Sequence, residues 1–270
     1  MCACNRPHSA LTPCLASRGP SRRAVLGFLA AGAASPMLAG CEQVASLVVS
    51  DEAVAELGAE TWARLKAAKP PTRSAAAQRT AEEVALRLLR ATGEDPRGWE
   101  VQVFAEPTVN AFALPGRKIG IFEGMLEVSG GGGGLAAVVG HEIGHVVAAH
   151  PAERITAEMA RQWGLQLIAF LLEINDVAFA REIAGLLGVG AEFGFVRPYG
   201  RRQEREADRL GVFMMARAGY DPREAVALWR RMDAMGGAGL PAFLSTHPAP
   251  AARAEEIEGL IPEAIEAARG

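Results

Sequence analysis

His141-Glu142-Ile143-Gly144-His145 carries three side chains able to do metal chemistry, at a spacing that lets them work together. The surrounding stretch, Leu135–His150, has no proline and is rich in Ala, Val and Ile, which predicts a helix. Each helical residue turns about 100° and rises about 1.5 Å. His141 and His145 therefore differ by about 40° and stand one turn apart on a single face. Two imidazoles so placed can share a zinc ion, and Glu142 beside them can reach a bound water without ligating the metal. A third ligand at the metzincin offsets is excluded, because Ala148 and Pro151 occupy the Gly and His positions. On a continuous helix His150 points about 180° from His141, so it is read as a helix-end side chain meeting carbonyls before Pro151.

The missing ligand is expected from a second helix, Tyr199–Ala218, which carries Glu204-Arg205-Glu206-Ala207-Asp208. Glu204 and Asp208 are four apart and share a face, whereas Glu206 lies about 200° from Glu204. Glu204 is assigned as the third metal ligand. Asp208 is assigned as the acceptor for the free ring N–H of a ligand histidine, which fixes its tautomer. Alone, this acidic-basic run would read as a solvated charged face; beside the histidine pair the metal reading prevails.

At this point the chain resembles the HtpX/BepA/CAAX-endopeptidase group of zinc metallopeptidases. The resemblance rests on His141–His145, the Glu204/Asp208 pair, Asn110–Gly116 (NAFALPG) and Ser245–Pro248 (STHP), in the same order over about residues 75–260. It implies an α+β, mostly helical fold with a zincin-like core, a small sheet or hairpin beside the His-Glu-x-x-His helix, and one zinc ion held by two histidines and one glutamate. One departure is plain. Ser129 and Gly130–Gly134 precede the active helix, where relatives carry a more polar, acidic start.

The composition is that of an ordinary globular chain: 28 Lys+Arg, 31 Asp+Glu and 50% hydrophobic residues give a net charge of -3 and material for one sizeable core. With no downstream basic run, nucleic acid is not expected as a partner. Residues 1–40 hold Arg6, Arg18, Arg22 and Arg23 and no acid. Arg22-Arg23, the apolar run from Ala24 and Leu38-Ala39-Gly40-Cys41 together predict a twin-arginine-like export signal with a lipobox. Cys41 is then the lipidation site and the membrane contact. Cys2, Cys4 and Cys14 leave with the signal, so no disulfide is expected. Glu42 after the cysteine points, by resemblance to bacterial lipoproteins, to a periplasm-facing protein of the outer membrane.

The expected organisation is a signal at 1–40, a tether and N-terminal helix at 41–73, and a metallopeptidase domain at 74–270. Helices are predicted over Asp51–Ala68, with Val54, Leu57, Trp62 and Leu65 on one face, and over Ser74–Thr92, ended by Gly93. Trp99–Val103 alternates as a strand. Val109–Leu114 and Lys118–Phe122 read as a hairpin turned by Pro115-Gly116. Its outer strand, with Asn110, Ala111 and Phe112, is the candidate substrate-binding edge. Trp163–Ile174 reads as a buried helix or lid, and the glycine-rich 176–198 stretch as a cover over the cleft. Asp221-Pro222 opens a helix bearing Ala225, Leu228, Trp229 and Met232, Gly236–Pro241 reads as a loop, and the last helix starts near Ala249.

Within this frame Glu142 is the expected general base, and His247 the candidate donor to the substrate's carbonyl oxygen. Two other roles for His247 remain open: a fourth ligand that silences the site, or a loop side chain fixing the last helix. Tyr199 is a second donor candidate, and Arg197 and Arg202 are placed near the cleft. The functional expectation is a lipid-anchored zinc endopeptidase of the bacterial envelope, acting on unfolded or misassembled envelope proteins. The alternative is a chaperone-like assembly factor with little proteolysis; hydrolysis of cell-wall peptides is a third reading.

Overall fold

Serine side chains start the first two helices. Ser50 Oγ accepts from the Ala53 N–H at 3.2 Å and opens α1, Asp51–Ala68; Ser74 Oγ accepts from Ala77 N–H at 3.1 Å and opens α2, Ala75–Thr92. Lys69-Pro70-Pro71 ends the first, and left-handed Gly93 ends the second. The computed structural model describes residues 50–158, 199–235, 241–247 and 250–269. The export segment, Cys41, Trp163–Ile174 and the 176–198 cover lie outside the described residues.

The fold is mostly helical, with one small sheet. β1 (Glu100–Phe104), β2 (Ala111–Leu114) and β3 (Lys118–Phe122) form a three-stranded sheet in the order β1-β3-β2. β1 runs parallel to β3 and β2 antiparallel to it, with Leu114 opposite Lys118. The hairpin loop is therefore three residues, Pro115 to Arg117, rather than a two-residue Pro-Gly turn. Both Gly116 (φ 78) and Arg117 (φ 62) adopt the left-handed conformation that closes it. β2 is an edge strand, and among the described residues no strand pairs with its outer side.

Strand alternation sends side chains to two destinations. Val103, Ala111, Ile119 and Ile121 enter the main core with Leu88 and Leu89 of α2. Phe104, Phe112 and Phe122 face the other way and form an aromatic cluster with Trp62 of α1. Leu57, expected on the buried face of α1, is 40% exposed. The contacting stripe is Val54, Gly58 and Trp62, and at Gly58 the carbonyl of Pro115 comes too close for any side chain.

The glycine run before the active helix has a steric purpose. α3 (Glu123–Ser129) ends at left-handed Gly130, and α4 (Gly132–Val147) begins two residues later, three residues ahead of the expected Leu135. A Cβ on Gly134 would sit 1.9 Å from the Ser129 carbonyl oxygen. Arg231 ties the joint together by donating to the Val128 and Ser129 carbonyls at 3.1 and 2.6 Å. It comes from α6 (Arg223–Ala234), which follows α5 (Arg201–Arg217). Ala225, Leu228, Trp229 and Met232 are buried in α6, as the periodicity predicts, and Val226 is buried with them. Pro241–Thr246 forms a short helix, α7, where a loop running into the final helix was expected, and α8 spans Pro250–Ala267.

Candidate metal centre and catalytic site

Small residues let two helices meet at backbone distance, and that meeting builds the site. On α4, Gly140 and Gly144 lie on the same side as His141 and His145. On α5, Ala207 and Gly211 lie among Glu204 and Asp208. A Cβ on Gly144 would come 2.8 Å from the Ala207 carbonyl oxygen, and one on Gly211 would come 2.9 Å from the His141 nitrogen. Larger residues would push the imidazoles away from the carboxylates.

The crossing gathers His141, His145, Glu204 and His247, all buried, with one ligand atom of each within 4.8 Å of the others. His141 Nε2 is 3.0 Å from His145 Nε2 and 3.2 Å from His247 Nδ1. Glu204 Oε1 is 3.1 Å from His247 Nδ1 and 3.4 Å from His145 Nε2, and Oε2 is 3.7 Å from His141 Nε2. Donors of a tetrahedral zinc site with bonds of about 2.0–2.1 Å stand about 3.3 Å apart, so the set has the size of a zinc site. Burial drives His145 down to about 4 and His141 well below the ordinary imidazole range, so both imidazoles are neutral at pH 7. Burial alone would raise Glu204. The His145 imidazole beside it, the His247 contact at 3.1 Å and the nearby Arg253 charge outweigh it and hold the carboxyl well below its usual range.

The charge balance points the same way. Every buried ionisable residue among those described lies in this one place. Glu142, Glu204 and Asp208 face a single guanidinium, that of Arg253, so two negative charges are uncompensated when Glu142 is ionised. A divalent cation supplies the difference. Buried polar atoms without a hydrogen-bond partner also gather here: both Glu142 oxygens, Glu204 Oε2, His247 Nε2, Arg253 Nη1 and Tyr199 Oη. Imidazole nitrogens with one carboxylate suit zinc, and the cluster is compatible with one ion.

Glu142 is fully buried, and its Oε1 is 3.5 Å from His247 Nε2. Burial pushes its carboxyl up to about 7, with Glu204 adding to the rise and His247, Arg253 and Arg154 opposing it. Asp208 Oδ1 is 3.0 Å from His141 Nδ1. Its carboxylate can only accept, so this contact favours the tautomer with the ring proton on Nδ1 and a bare Nε2 toward the cluster. Tyr199 stacks on the His145 ring at 3.9 Å, and its backbone N–H donates to the Thr246 carbonyl at 3.0 Å, tying the entry of α5 to the His247 segment. His247 N–H donates to the Phe243 carbonyl, and the two rings stack, so α7 sets the position of His247.

Arg253 escaped the sequence reading. It grips Asp208 through two bonds of 2.7 and 2.5 Å, lies 3.6 Å over the Trp229 ring, and brings Nη1 to 2.5 Å from Glu204 Oε2. That last approach lacks hydrogen-bond angles and acts as an ionic contact. Nη2 also lies 3.1 Å from His141 Nδ1. A signal was present in the sequence: Arg253 shares the apolar stripe of α8 with Ile257, Ile261 and Ala264. A lone arginine on a buried face requires a buried partner.

His150 needs a correction. It does not meet carbonyls at a helix end: it is 1% exposed and its Nδ1 is 3.0 Å from His145 Nδ1. The helix is not continuous. Ala149 has φ 58, and a new helical stretch at 150–158 swings His150 back beneath His145. Glu206, set aside as facing away from the metal, stands 3.5 Å from His150 Nε2. Arg202 is exposed and pairs with Glu206 at 3.6 Å, outside the cluster, and Arg197 lies outside the described residues.

On the sheet, the Asn110 carbonyl accepts from the Phe122 N–H at 3.0 Å, while its side-chain Oδ1 is buried without a partner. Ala111 is buried in the main core. The Phe112 ring covers Gly120 and joins the aromatic cluster on the α1 side, and with the Asn110 carbonyl turned to β3, alternation turns the Phe112 backbone to β3 too and the backbone of Ala111 and Ala113 to the outer edge.

A family model described as peptidase family M48 matches residues 71–261. The chain is 40% identical over 184 residues to the mitochondrial metalloendopeptidase OMA1 of Schizosaccharomyces pombe, covering 67% of this chain and 52% of that one. It is 32% identical over 196 residues to the human metalloendopeptidase OMA1, mitochondrial, covering 68% and 37%. To the beta-barrel assembly-enhancing protease of Escherichia coli it is 30% identical over 152 residues, covering 54% and 31%. The OMA1 matches are thus the longer and the more identical ones, a refinement of the group suggested by the motifs. The chain spans about half or less of the length of these relatives.

Proposed function

Because the chain belongs to peptidase family M48, we propose that it is a zinc-dependent endopeptidase acting on unfolded protein segments. The observation that carries this reading is a buried four-donor cluster beside Glu142, whose two oxygens have no hydrogen-bond partner among the described residues and suit it to act as the general base. His141, His145 and Glu204 are the residues to hold zinc. Zinc, when bound, supplies a Lewis acid that acidifies water and polarises a carbonyl.

The chain's own residues do the rest. Glu142, held near neutrality by burial, takes a proton from the attacking water on a carboxylate oxygen and returns it to the leaving amine nitrogen. Asp208 keeps the proton of His141 on Nδ1 and Arg253 keeps Asp208 ionised and oriented. In the geometry described His247 Nδ1 stands among the donors, 3.2 Å from His141 Nε2 and 3.1 Å from Glu204 Oε1, and would compete with a substrate for the ion. A substrate has to displace it, after which its ring N–H can donate to the carbonyl oxygen as charge develops there. Among the described residues the outer edge of β2 is unpaired and suits an extended chain, with main-chain bonds along Ala111 and Ala113 and the Asn110 Oδ1 as a further acceptor.

Location is proposed on the sequence pattern alone: attachment to an envelope membrane through lipid on Cys41. Among the described residues no helix is long and apolar enough to cross a membrane. Mass spectrometry of the protein made in its host checks this, since a lipid-bearing Cys41 at the mature N-terminus is the expected product.

The test of the activity is cleavage of casein. It is expected to stop on chelation, to return with zinc, and to fall about 100-fold or more in Glu142→Gln. A variant that cleaves at the parent's rate overturns the mechanism. The assembly-factor alternative expects Glu142→Gln to rescue an envelope defect as well as the parent does.

A further inference from the structure

The geometry points to His150 and Glu206 as positioning residues that fix the ring of His145 for metal binding. The inference rests on the metal reading above and adds to it the protons and the backbone feature that present this ligand.

Two neutral imidazole nitrogens 3.0 Å apart share one proton, and its owner decides what the rest of each ring can do. Glu206 settles ownership. Its ionised carboxylate only accepts, and it faces His150 Nε2 at 3.5 Å, so the His150 proton lies on Nε2. His150 Nδ1 is then a lone pair, and only an N–H on His145 Nδ1 can meet it. His145 Nε2 is left bare, aimed at His141 Nε2 at 3.0 Å and Glu204 Oε1 at 3.4 Å. That is the tautomer a metal requires.

The surroundings are built for this contact. Tyr199 stacks on His145 at 3.9 Å with an interplanar angle of 23°, which restrains the ring plane and leaves Nδ1 needing a partner at the ring edge. That partner is delivered by the break after α4. Ala149 N–H donates to the Val146 carbonyl, Ala149 itself is left-handed at φ 58, and its carbonyl accepts from Glu153 N–H in the next helical stretch. A left-handed alanine is unfavourable, because its Cβ crowds the following carbonyl oxygen. Without that turn His150 would point to the far side of the helix.

The chemistry of the partner also fits. His141 is held directly by a buried carboxylate, Asp208, itself matched by Arg253. With Glu142 ionised, the three buried carboxylates exceed the Arg253 charge by two, which one divalent cation matches, so a further buried carboxylate at His145 would leave one charge in excess. A neutral imidazole supplies the acceptor without a charge and passes the contact outward to Glu206, whose side chain is 46% exposed and already hydrated.

The experiment uses the zinc-loaded parent and three variants, with zinc affinity measured by competition with a chromogenic chelator and histidine tautomers by nitrogen-15 NMR. His150 in the parent is expected to show a protonated Nε2 and a bare Nδ1. His150→Phe is expected to weaken zinc binding by about 10–100-fold. His150→Asn, whose side-chain oxygen can replace Nδ1 as acceptor, should stay within about threefold of the parent, and Glu206→Gln should lose less than His150→Phe. A proton on His150 Nδ1, or a folded His150→Phe protein with the parent's affinity, overturns the inference. Should His150→Phe fail to fold, the parent's tautomer and the Asn variant still decide. A parent that takes up no zinc defeats the metal reading itself; a parent that binds zinc while His150 proves indifferent defeats only this inference.

Discussion

The two faces of the sheet are held by different physics. On one side lie the main core and, beyond it, every buried ionisable group among the described residues; on the other, Trp62, Phe104, Phe112 and Phe122 close a small apolar cluster under α1. Charges on the α1 side stay at the surface: Glu100 pairs with Lys66 at 2.8 Å and Lys118 at 3.0 Å, with its side chain 39% exposed. Charges at the metal centre cannot reach water, so each must be matched by another group or by an ion. The same residue types therefore act as a replaceable fringe in one place and as fixed parts in the other.

The strongest way to break that contrast is Arg253→Leu. Asp208 and Glu204 then face no buried cation in the metal-free protein, and unfolding in urea should show a loss of about 3–5 kcal/mol. The double variant Arg253→Leu with Asp208→Leu should recover part of it, because it removes a stranded charge as well as its partner. A single-variant loss below about 1 kcal/mol would mean that charge compensation is not what organises the centre.

Trp62→Ala probes the other face. The cluster loses its largest ring, and stability should fall by about 3 kcal/mol. Zinc affinity should hold, since Trp62 touches the sheet on the side away from α4. A stability loss accompanied by weakened zinc binding would show that the two faces are coupled.

Gly211→Val should cost less, about 1–3 kcal/mol, because the helices can part slightly. Its Cβ would meet the Gly140 and His141 backbone at 2.9 Å. The shift moves Glu204 relative to the imidazoles, so zinc binding should weaken along with stability. Calorimetry and chelator competition on the same sample give both numbers.

What the sequence disclosed follows from how far regular geometry carries. His141, His145, Glu204 and Asp208 sit on uninterrupted helices, so a 100° turn per residue was enough to place each pair on one face. The strands were legible from alternation, and the ends of α1 and α2 from serine, glycine and proline. His150 was misplaced because one left-handed alanine ended the regularity, and nothing about an alanine advertises φ 58. Leu57 was misplaced because the buried stripe uses Gly58, where a backbone rather than a side chain makes the contact. Arg253 needed the third dimension: its stripe on α8 was readable, but its carboxylate partners lie more than forty residues away in sequence.

The smallest effect belongs to Glu100. Burial opposes its ionisation, but Lys66, the Trp62 indole and Lys118 outweigh it and hold its carboxyl at about 2. A carboxyl lowered in the folded state adds stability above its unfolded value of about 4.5, and that contribution fades as pH falls toward 2. The group is more than a third exposed, so the pair contributes roughly 0.5 kcal/mol or less after screening. Glu100→Gln should therefore trail the parent slightly at pH 7, converge on it between pH 4.5 and 2, and converge equally at pH 7 in high salt. A gap that survives both acid and salt would mean that Glu100 acts through packing on Trp62 rather than charge, and would move it from the fringe to the apolar cluster.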